Sequence, residues 1–305
     1  MEQVALVVGE ALVDVVRGRD GSERDHAGGS SANAAVAMSR LGRQVWFASA
    51  WADDPHGSLL AGHLGDNAVR MAVDPVALAR TATAVATLAE DGSATYEFDI
   101  EWRVPPVSLP DHVSPVVLVY GSIGAALAPG ADDVAALVDT ARGSALTVFD
   151  VNARPAITGT GADVVARAEQ MARLADVVKA SDEDLDALWP DRTHREVASH
   201  LIASGAGAVV VTRGGAGVSW YAADDEVTVP APTVDVVDTI GAGDTVTAAV
   251  VDALWRLDVV GPAASERLRA LARAEWTSVL EFAARAAAVT VSRPGGDPPH
   301  RHELD

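Results

Sequence analysis

The chain contains no cysteine, only one lysine and few aromatic residues, and its charge is weighted to one sign. Without cysteine there is no disulfide framework and no thiolate metal site. Basic side chains number 23 against 43 acidic ones, a formal net charge of -20. That balance excludes a binder of nucleic-acid backbones, which needs a basic face. It also opposes docking on an anionic membrane. No apolar run reaches the length of about 18 residues that a bilayer span requires. The N-terminus lacks the basic stretch and long apolar core of a signal peptide, so a cytoplasmic location is the expectation. What is present is length and apolar content. The 305 residues are 49% hydrophobic, which suffices for a sizeable core and rules out disorder.

An apolar run over residues 4–8, ending at Gly9, reads as a buried strand of a parallel sheet. Two Asp-Gly pairs, Asp20-Gly21 and Asp91-Gly92, each lie between strand-like runs and predict two antiparallel hairpins, over about 11–27 and 83–100. They are too small to stand alone and predict a small sheet projecting from the body. A helix over 30–41 has Ser30 or Ser31 as its N-cap. A strand over 45–50 and a helix including 59–64 follow. The prolines within 104–115 predict a stiff connector.

From there strands (116–120, 145–150, 177–179, 208–212) alternate with helices (131–141, 162–174, 195–203), which implies a parallel sheet covered on both faces. A hairpin-like pair at 218–221 and 226–229 interrupts the alternation. Two long helices, about 243–255 and 266–289, close the chain. The expectation is a single domain over 1–299 with a polar tail at 300–305, frayed from about residue 295.

The sharpest segment is Asp238-Thr-Ile-Gly-Ala-Gly-Asp244. Gly241, Ala242 and Gly243 fall at a predicted helix start, where unobstructed N–H groups gather anions such as phosphate. A carboxylate at that mouth would repel an anion, but suits a base that takes a proton from a hydroxyl attacking phosphorus. The plain alternative is a Gly-rich turn with a capping aspartate. A dinucleotide fingerprint is disfavoured because Val246 stands where its third glycine belongs.

Gly28-Gly29-Ser-Ser-Ala-Asn33 allows close approach of a ligand to the backbone, and the Asn33 amide suits a polyhydroxylated one. Asp14 has the chemistry to accept two neighbouring hydroxyls. A hairpin-to-helix turn explains the glycines equally well. Thr212-Arg-Gly214-Gly-Ala-Gly217 follows a strand and fits either a nucleotide pocket or a plain turn. Lys179 and Ser181 to Asp184 also follow a strand end, placing charge near phosphates or a hydrated metal, or else forming a helix cap with an acidic first turn. There is no P-loop and no protein-kinase catalytic loop.

Taken together these clusters resemble the PfkB carbohydrate kinases, the ribokinase-like sugar kinases. Gly28-Gly29-Ser-Ser-Ala-Asn33-Ala-Ala with Leu41-Gly42 is similar to that family's N-terminal signature, and Asp238 to Asp244 to its C-terminal one. The resemblance implies a three-layer α/β sandwich with a mainly parallel central sheet and a small β lid over the sugar. It implies Asp244 as base, Gly241, Ala242 and Gly243 as the anion hole, and Asp14, Gly28, Gly29 and Asn33 on sugar hydroxyls. Thr212, Gly214 and Gly217 match the nucleotide-binding turn. Asp238 matches a position that helps hold a monovalent cation, potassium, and magnesium accompanies ATP. Where the family often has Asn-x-x-Glu, this chain has Ser181-Asp-Glu-Asp184.

Gly9-Glu10-Ala-Leu-Val-Asp14 and Phe149-Asp150-Val-Asn152-Ala-Arg154-Pro155 look most like fructokinases, with Asn152 and Arg154 toward the substrate. Val151 stands where those enzymes usually have proline. The 2-keto-3-deoxygluconate kinases share the Asp-x-Asn-x-Arg pattern, and Arg154 suits either a substrate carboxylate or the transferring phosphate. A salt-bridged structural arginine is the alternative. The implied reaction is ATP-dependent phosphorylation of fructose to fructose 6-phosphate. Alternatives are a 2-keto-3-deoxygluconate kinase, a ribokinase, a nucleoside kinase, or a non-catalytic relative that binds sugar or nucleotide. The lid edges offer a route to a homodimer.

Overall fold

A computed structural model describes residues 1–18, 20–88 and 94–305. The Asp91-Gly92 turn lies outside the described residues. The chain begins with β1 (Glu2–Val8), β2 (Leu12–Arg17) and β3 (Glu23–Gly28), then α1 (Ser30–Arg40), β4 (Val45–Ala48), α2 (Pro55–Asp66) and β5 (Arg70–Met71). The second hairpin is β6 (Thr83–Leu88) and β7 (Ala94–Asp99). Next come β8 (Val113–Gly121), α3 (Ser122–Ala126), α4 (Gly130–Ala141), β9 (Leu146–Asp150), α5 (Pro155–Thr158) and α6 (Ala162–Ala172). The remainder is β10 (Val177–Ser181), α7 (Asp182–Leu188), α8 (His194–Ala203), β11 (Ala208–Thr212), β12 (Val218–Tyr221), β13 (Glu226–Val229), α9 (Ala242–Arg256), α10 (Ala264–Ala270) and α11 (Arg273–Val291).

Nine strands form the central sheet in the order β13-β12-β11-β10-β9-β8-β1-β4-β5. It is parallel except at β12, which pairs antiparallel with both β11 and β13. Alternate residues of β1 explain its unbroken apolar run. Ala5 and Val7 pack with α1, α2, α9 and α11 on one face. Leu6 and Val8 pack with α4, α6 and α8 on the other. Both faces are therefore covered. Trp220 of β12 stacks on Trp276 of α11 with ring centroids 5.0 Å apart, closing one end of the core. Each such fully buried large side chain is worth roughly 1.5–3 kcal/mol of transfer free energy.

The second sheet has the order β3-β2-β6-β7. The two expected hairpins are present, and β2 and β6 join them in parallel, Val13 opposite Thr83. Asp14 lies inside β2. In the central sheet the chain starts at β1 and is later extended to either side of it. The carboxyl ends of β1 and β8 therefore meet at a topological switch point, where open α/β sheets form their crevice.

Four expectations change. α1 starts at Ser30 with Gly29 as its N-cap, so neither Ser30 nor Ser31 caps it and no side chain of the cap residue does. The strand expected at 116–120 begins at Val113. Pro115 is accommodated because the register with β1 shifts there, between Val4 and Ala5, the kind of irregularity that tolerates a strand proline. The last long helix is two, α10 and α11, because Leu271 and Ala272 are extended and Glu275 accepts the Ala272 N–H at 2.7 Å, restarting the helix. The C-terminal tail is docked rather than frayed. Arg301 bonds to Asp252 and to the Leu41 carbonyl, Arg40 to Asp297 and the Pro298 carbonyl, and Arg293 to Glu303. Among the described residues no helix is long and apolar enough to cross a membrane.

Candidate active site

Five strands of the central sheet end at one cleft beneath the lid. Glu10 follows β1, Ser122 follows β8, Asp150 ends β9, Ser181 ends β10 and Thr212 ends β11. Opposite them α9 begins. Gly241 caps α9 with φ 72, in the left-handed region, and a Cβ there would lie 3.3 Å from Gly296 Cα. The left-handed conformation favours glycine here, and the space beside Gly296 is tight. The first turn of α9 carries Asp244, which is buried.

Asp244 is held on both oxygens. Ser30 donates its hydroxyl to Oδ1 at 2.7 Å, and the Asn33 amide donates to Oδ2 at 3.0 Å. Asn152 donates to the Ser30 hydroxyl at 2.5 Å and to Asp244 Oδ1 at 3.4 Å. Arg154 in turn donates to Asn152 Oδ1 at 2.6 Å, which fixes which way the amide points. Asn152 has φ 35, a conformation asparagine tolerates better than most residues. The result is a polarised chain from Arg154 through Asn152 and Ser30 to the carboxylate.

Beneath the α9 terminus lies a buried ion pair. Lys179 Nζ reaches Asp150 Oδ1 at 3.0 Å and Oδ2 at 3.2 Å, and Thr247 donates to Asp150 Oδ2 at 2.7 Å. A Cβ on Gly243 would come within 2.9 Å of Lys179 Nζ, so the glycine leaves room for the ammonium. Burial pushes Asp150 up to about 6 against the pull of Lys179, with Asp244 and Asp184 adding to the push. Burial works against the Lys179 charge, but Asp150, Asp184 and Asp244 outweigh it and hold the ammonium above the ordinary lysine value.

Asp184 and Ser181 form a capping box at the start of α7. Asp184 also accepts the Ala153 N–H at 2.7 Å, tying α7 to the loop after β9. Both Asp184 oxygens thus meet backbone N–H groups. Asp238 is similarly engaged, accepting from Ile240 at 3.0 Å and Gly295 at 2.9 Å, and these bonds lower its pKa.

Two cavities meet at Gly243. The larger, about 870 Å³, lies between lid and body. Asp14, Gly29, Asn33, Asn152, Arg154 and Asp244 line it, and Tyr96 and Phe98 of the lid form its roof. Gly28 backs Asp14, since a Cβ on it would come within 2.4 Å of that carboxylate. Burial in these walls raises the Asp14 pKa, while His26 and Arg154 oppose the rise. The second cavity, about 410 Å³, is mainly apolar and is bounded by Thr212, Gly214, Gly217 and Ala242, with alanines of α11 behind. Gly217 has φ 97, and a Cβ there would lie 2.0 Å from the Val229 carbonyl, so this turn admits only glycine.

The sequence-derived residues therefore converge on these two adjoining cavities, apart from Gly28, which backs Asp14, and Asp238, which lines neither. Sequence reasoning missed Ser30 as a partner of Asp244, the Asp150–Lys179–Thr247 cluster, and Glu10. For the first two, the Ser30-x-x-Asn33 spacing on one helix turn and the Asp-x-Asn-x-Arg run were the available signals. Glu10 is buried directly after β1 and accepts N–H groups from Ser30 at 3.2 Å and Gly124 at 2.9 Å.

Burial pushes Glu10 up to about 7, with Asp244 adding to it and Arg154 and the backbone N–H groups opposing. The folded protein then binds a proton that the unfolded chain has released. Stability is greatest below the ordinary glutamate value near 4.5 and is lost as pH rises toward about 7. The shift corresponds to about 3 kcal/mol. Urea unfolding between pH 5 and 8 should show a decline that is reduced in Glu10→Gln; equal declines in both proteins would contradict this origin.

Comparison with known proteins agrees with this geometry. The model of the pfkB family carbohydrate kinases matches residues 3–302. The fructokinase of Rhizobium leguminosarum bv. trifolii is 36% identical over 259 residues, covering 82% of this chain and 79% of that protein. The aminoimidazole riboside kinase of Salmonella typhimurium is 29% identical over 251 residues, covering 78% and 76%. The crystal structure of a fructokinase with bound ATP from Xylella fastidiosa is similar with a TM-score of 0.85 and 26% identity, over 100% of this chain and 97% of that one. With the family matched across nearly the whole chain and a lid-covered cleft at the expected signatures, this protein belongs to the pfkB family of carbohydrate kinases and is an ATP-dependent sugar kinase.

Proposed function

We propose that the enzyme transfers the ATP γ-phosphate to a primary hydroxyl of a sugar, with fructose giving fructose 6-phosphate as the preferred reaction. The observation that carries this reading is the position of Asp244 in the lid-side cavity, next to Gly243 where that cavity meets the apolar one. The sugar occupies the lid side, where Asp14, the Gly28-Gly29 turn, Asn33, Asn152 and Arg154 offer polar groups to its hydroxyls. The nucleotide occupies the apolar cavity, with its phosphates directed past Thr212 and Gly214 toward Gly243.

Asp244 accepts the proton of the attacking hydroxyl as the sugar oxygen bonds to the γ-phosphorus and the bond to the ADP oxygen breaks. The N–H groups of Gly241 and Gly243 at the α9 terminus, joined by that of Ala242, which donates to the Thr239 carbonyl at 3.3 Å in this structure, stabilise the charge on the transferring group. Lys179 adds a fixed positive charge below them. The lid excludes water, so the sugar rather than water takes the phosphate.

Among the described residues, no group of three or more histidine, aspartate or glutamate side chains gathers to hold a metal. That fits magnesium arriving with ATP and held chiefly by phosphate oxygens and water. Asp184, already engaged by two N–H groups, would hold its waters, and the ion would neutralise phosphate charge. Asp238 would brace the loop beside a monovalent cation, potassium, rather than bind it directly. The free edges of the lid, β3 and β7, are the proposed contact of a homodimer.

The test is ADP release with magnesium and ATP, in potassium and in sodium, across fructose, ribose, 2-keto-3-deoxygluconate, tagatose 6-phosphate and adenosine. The highest kcat/KM is expected on fructose, with product phosphorylated on the primary hydroxyl. Arg154 in the cleft favours a second reading, a sugar acid. Preference for 2-keto-3-deoxygluconate would establish that reading and overturn fructose.

A further inference from the structure

Glu10 lies outside the chain of donors that reaches Asp244, yet it fastens the helix from which two of those donors come. α1 begins with Gly29 as cap, a residue that has no side chain to satisfy the first helical N–H groups. Glu10 Oε1 accepts the N–H of Ser30, the first residue of the helix. Its Oε2 accepts the Gly124 N–H of α3 at 2.9 Å and lies 3.5 Å from the Ser31 hydroxyl. One buried carboxylate therefore caps α1 from a distance and pins it to α3. From the same first turn of α1, Ser30 and Asn33 bond the two oxygens of Asp244.

We propose that Glu10 is a positioning residue whose ionised carboxylate sets the first turn of α1, and through Ser30 and Asn33 the orientation of the Asp244 carboxylate toward the acceptor hydroxyl.

The proposal rests on Asp244 being the base. Ionised Glu10 accepts from all its neighbours, and its bonds to the two N–H groups are charge-assisted. Protonated, it gives up one acceptor site and those bonds weaken. Arg154, from the loop after β9, favours the ionised form, whereas Asp244 of α9 opposes it. The neighbouring turns of α1 and α3 present serines and backbone, with no charged side chain among residues 29–33 and 122–126. Asp14 of β2 and Lys179 with Asp150 line or underlie the same cleft. Because Glu10 changes charge near pH 7, turnover should rise with pH across that range, separately from any limb that Asp150 contributes near pH 6.

The experiment measures kcat and sugar KM from pH 5.5 to 9 for the wild type, Glu10→Gln, Ser30→Ala, the double variant and Asp244→Asn. In Glu10→Gln the amide keeps the shape but turns a donor toward N–H groups. A fall in kcat of roughly ten- to a hundredfold is expected, on the scale of a misplaced reacting group, with sugar KM little changed and the limb near pH 7 lost. Combined with Ser30→Ala, the losses should be less than multiplicative, because both act on one carboxylate. An unchanged kcat and pH profile in Glu10→Gln overturns the proposal, leaving Glu10 a structural cap, even if the melting temperature falls. Should Glu10→Gln fail to fold, the profiles of wild type and Ser30→Ala decide. Loss of the limb near pH 7 in Ser30→Ala supports the relay, and a limb that persists there and also when Asn33→Ala is added overturns it. Full activity of Asp244→Asn would overturn the underlying assignment of the base, whereas an inactive Asp244→Asn with an unaffected Glu10→Gln would overturn the relay alone.

Discussion

Replacing Asp244 by asparagine is expected to lower kcat by roughly 10²–10⁴-fold, the range supplied by a positioned general base. Sugar and nucleotide binding should survive. The amide fills the same space, and Ser30 and Asn152 can still donate to its oxygen. One bond turns unfavourable, because Asn33 donates to Oδ2, where an amide nitrogen would also be a donor. That mismatch adds a stability cost of about 1–3 kcal/mol, so the variant must be shown folded by its melting curve before its rate is read. Steady-state turnover together with calorimetric binding of ATP and sugar separates the effects. Lost turnover with intact binding supports Asp244 as the base. A rate within a few-fold of wild type would mean that transfer proceeds by positioning and charge stabilisation alone.

That residue was legible because its surroundings are local. A Gly-Ala-Gly run before an aspartate and an apolar helix states both the helix start and the carboxylate position in consecutive residues. The hairpins were legible for the same reason, since Asp20-Gly21 and its strands are contiguous. β1 announced itself as buried because both of its faces pack.

The spacing of Ser30 and Asn33 marked one helix turn, but that this turn bonds Asp244 was not readable. Ser30 and Asn33 lie more than 200 positions away along the chain, and only the packing of α1 against α9 brings them in. Glu10 reads in sequence as an ordinary acid after a strand. Its significance comes from Gly29, whose missing side chain leaves α1 uncapped, and from the fold that sets β1 beside both α1 and α3. The break between α10 and α11 is likewise hidden, because no glycine or proline marks Leu271-Ala272 and the cap is Glu275 from the next turn. The docked tail depends on Arg301 finding Asp252 and the carbonyl of Leu41, contacts that a polar composition cannot announce.

Lys179→Met should be the most destabilising single change in the site. The ammonium is buried with both Asp150 oxygens as partners, and its removal leaves Asp150 inside the protein with Thr247 as its remaining hydrogen-bond donor. Breaking such a pair on one side costs about 3–5 kcal/mol. The loss should depend on pH with a definite sign. Lys179 pulls the Asp150 pKa down more than the Thr247 hydrogen bond does, so its removal moves the folded value further above the unfolded one near 3.8. A carboxyl raised in the folded state contributes stability at low pH and loses it as pH climbs through the folded value. Lys179→Met should therefore be milder at pH 5 than at pH 8. Adding Asp150→Asn to Lys179→Met should recover part of the loss at pH 8, because the uncompensated charge is then gone. Recovery of stability need not restore turnover, since the positive charge beneath Gly243 remains absent. Urea unfolding of the single and double variants at both pH values, alongside turnover, tests each point. A loss below about 1 kcal/mol that is the same at pH 5 and pH 8 would mean that the pair contributes no more than a surface ion pair, and that the ammonium is retained for the phosphate rather than for the fold.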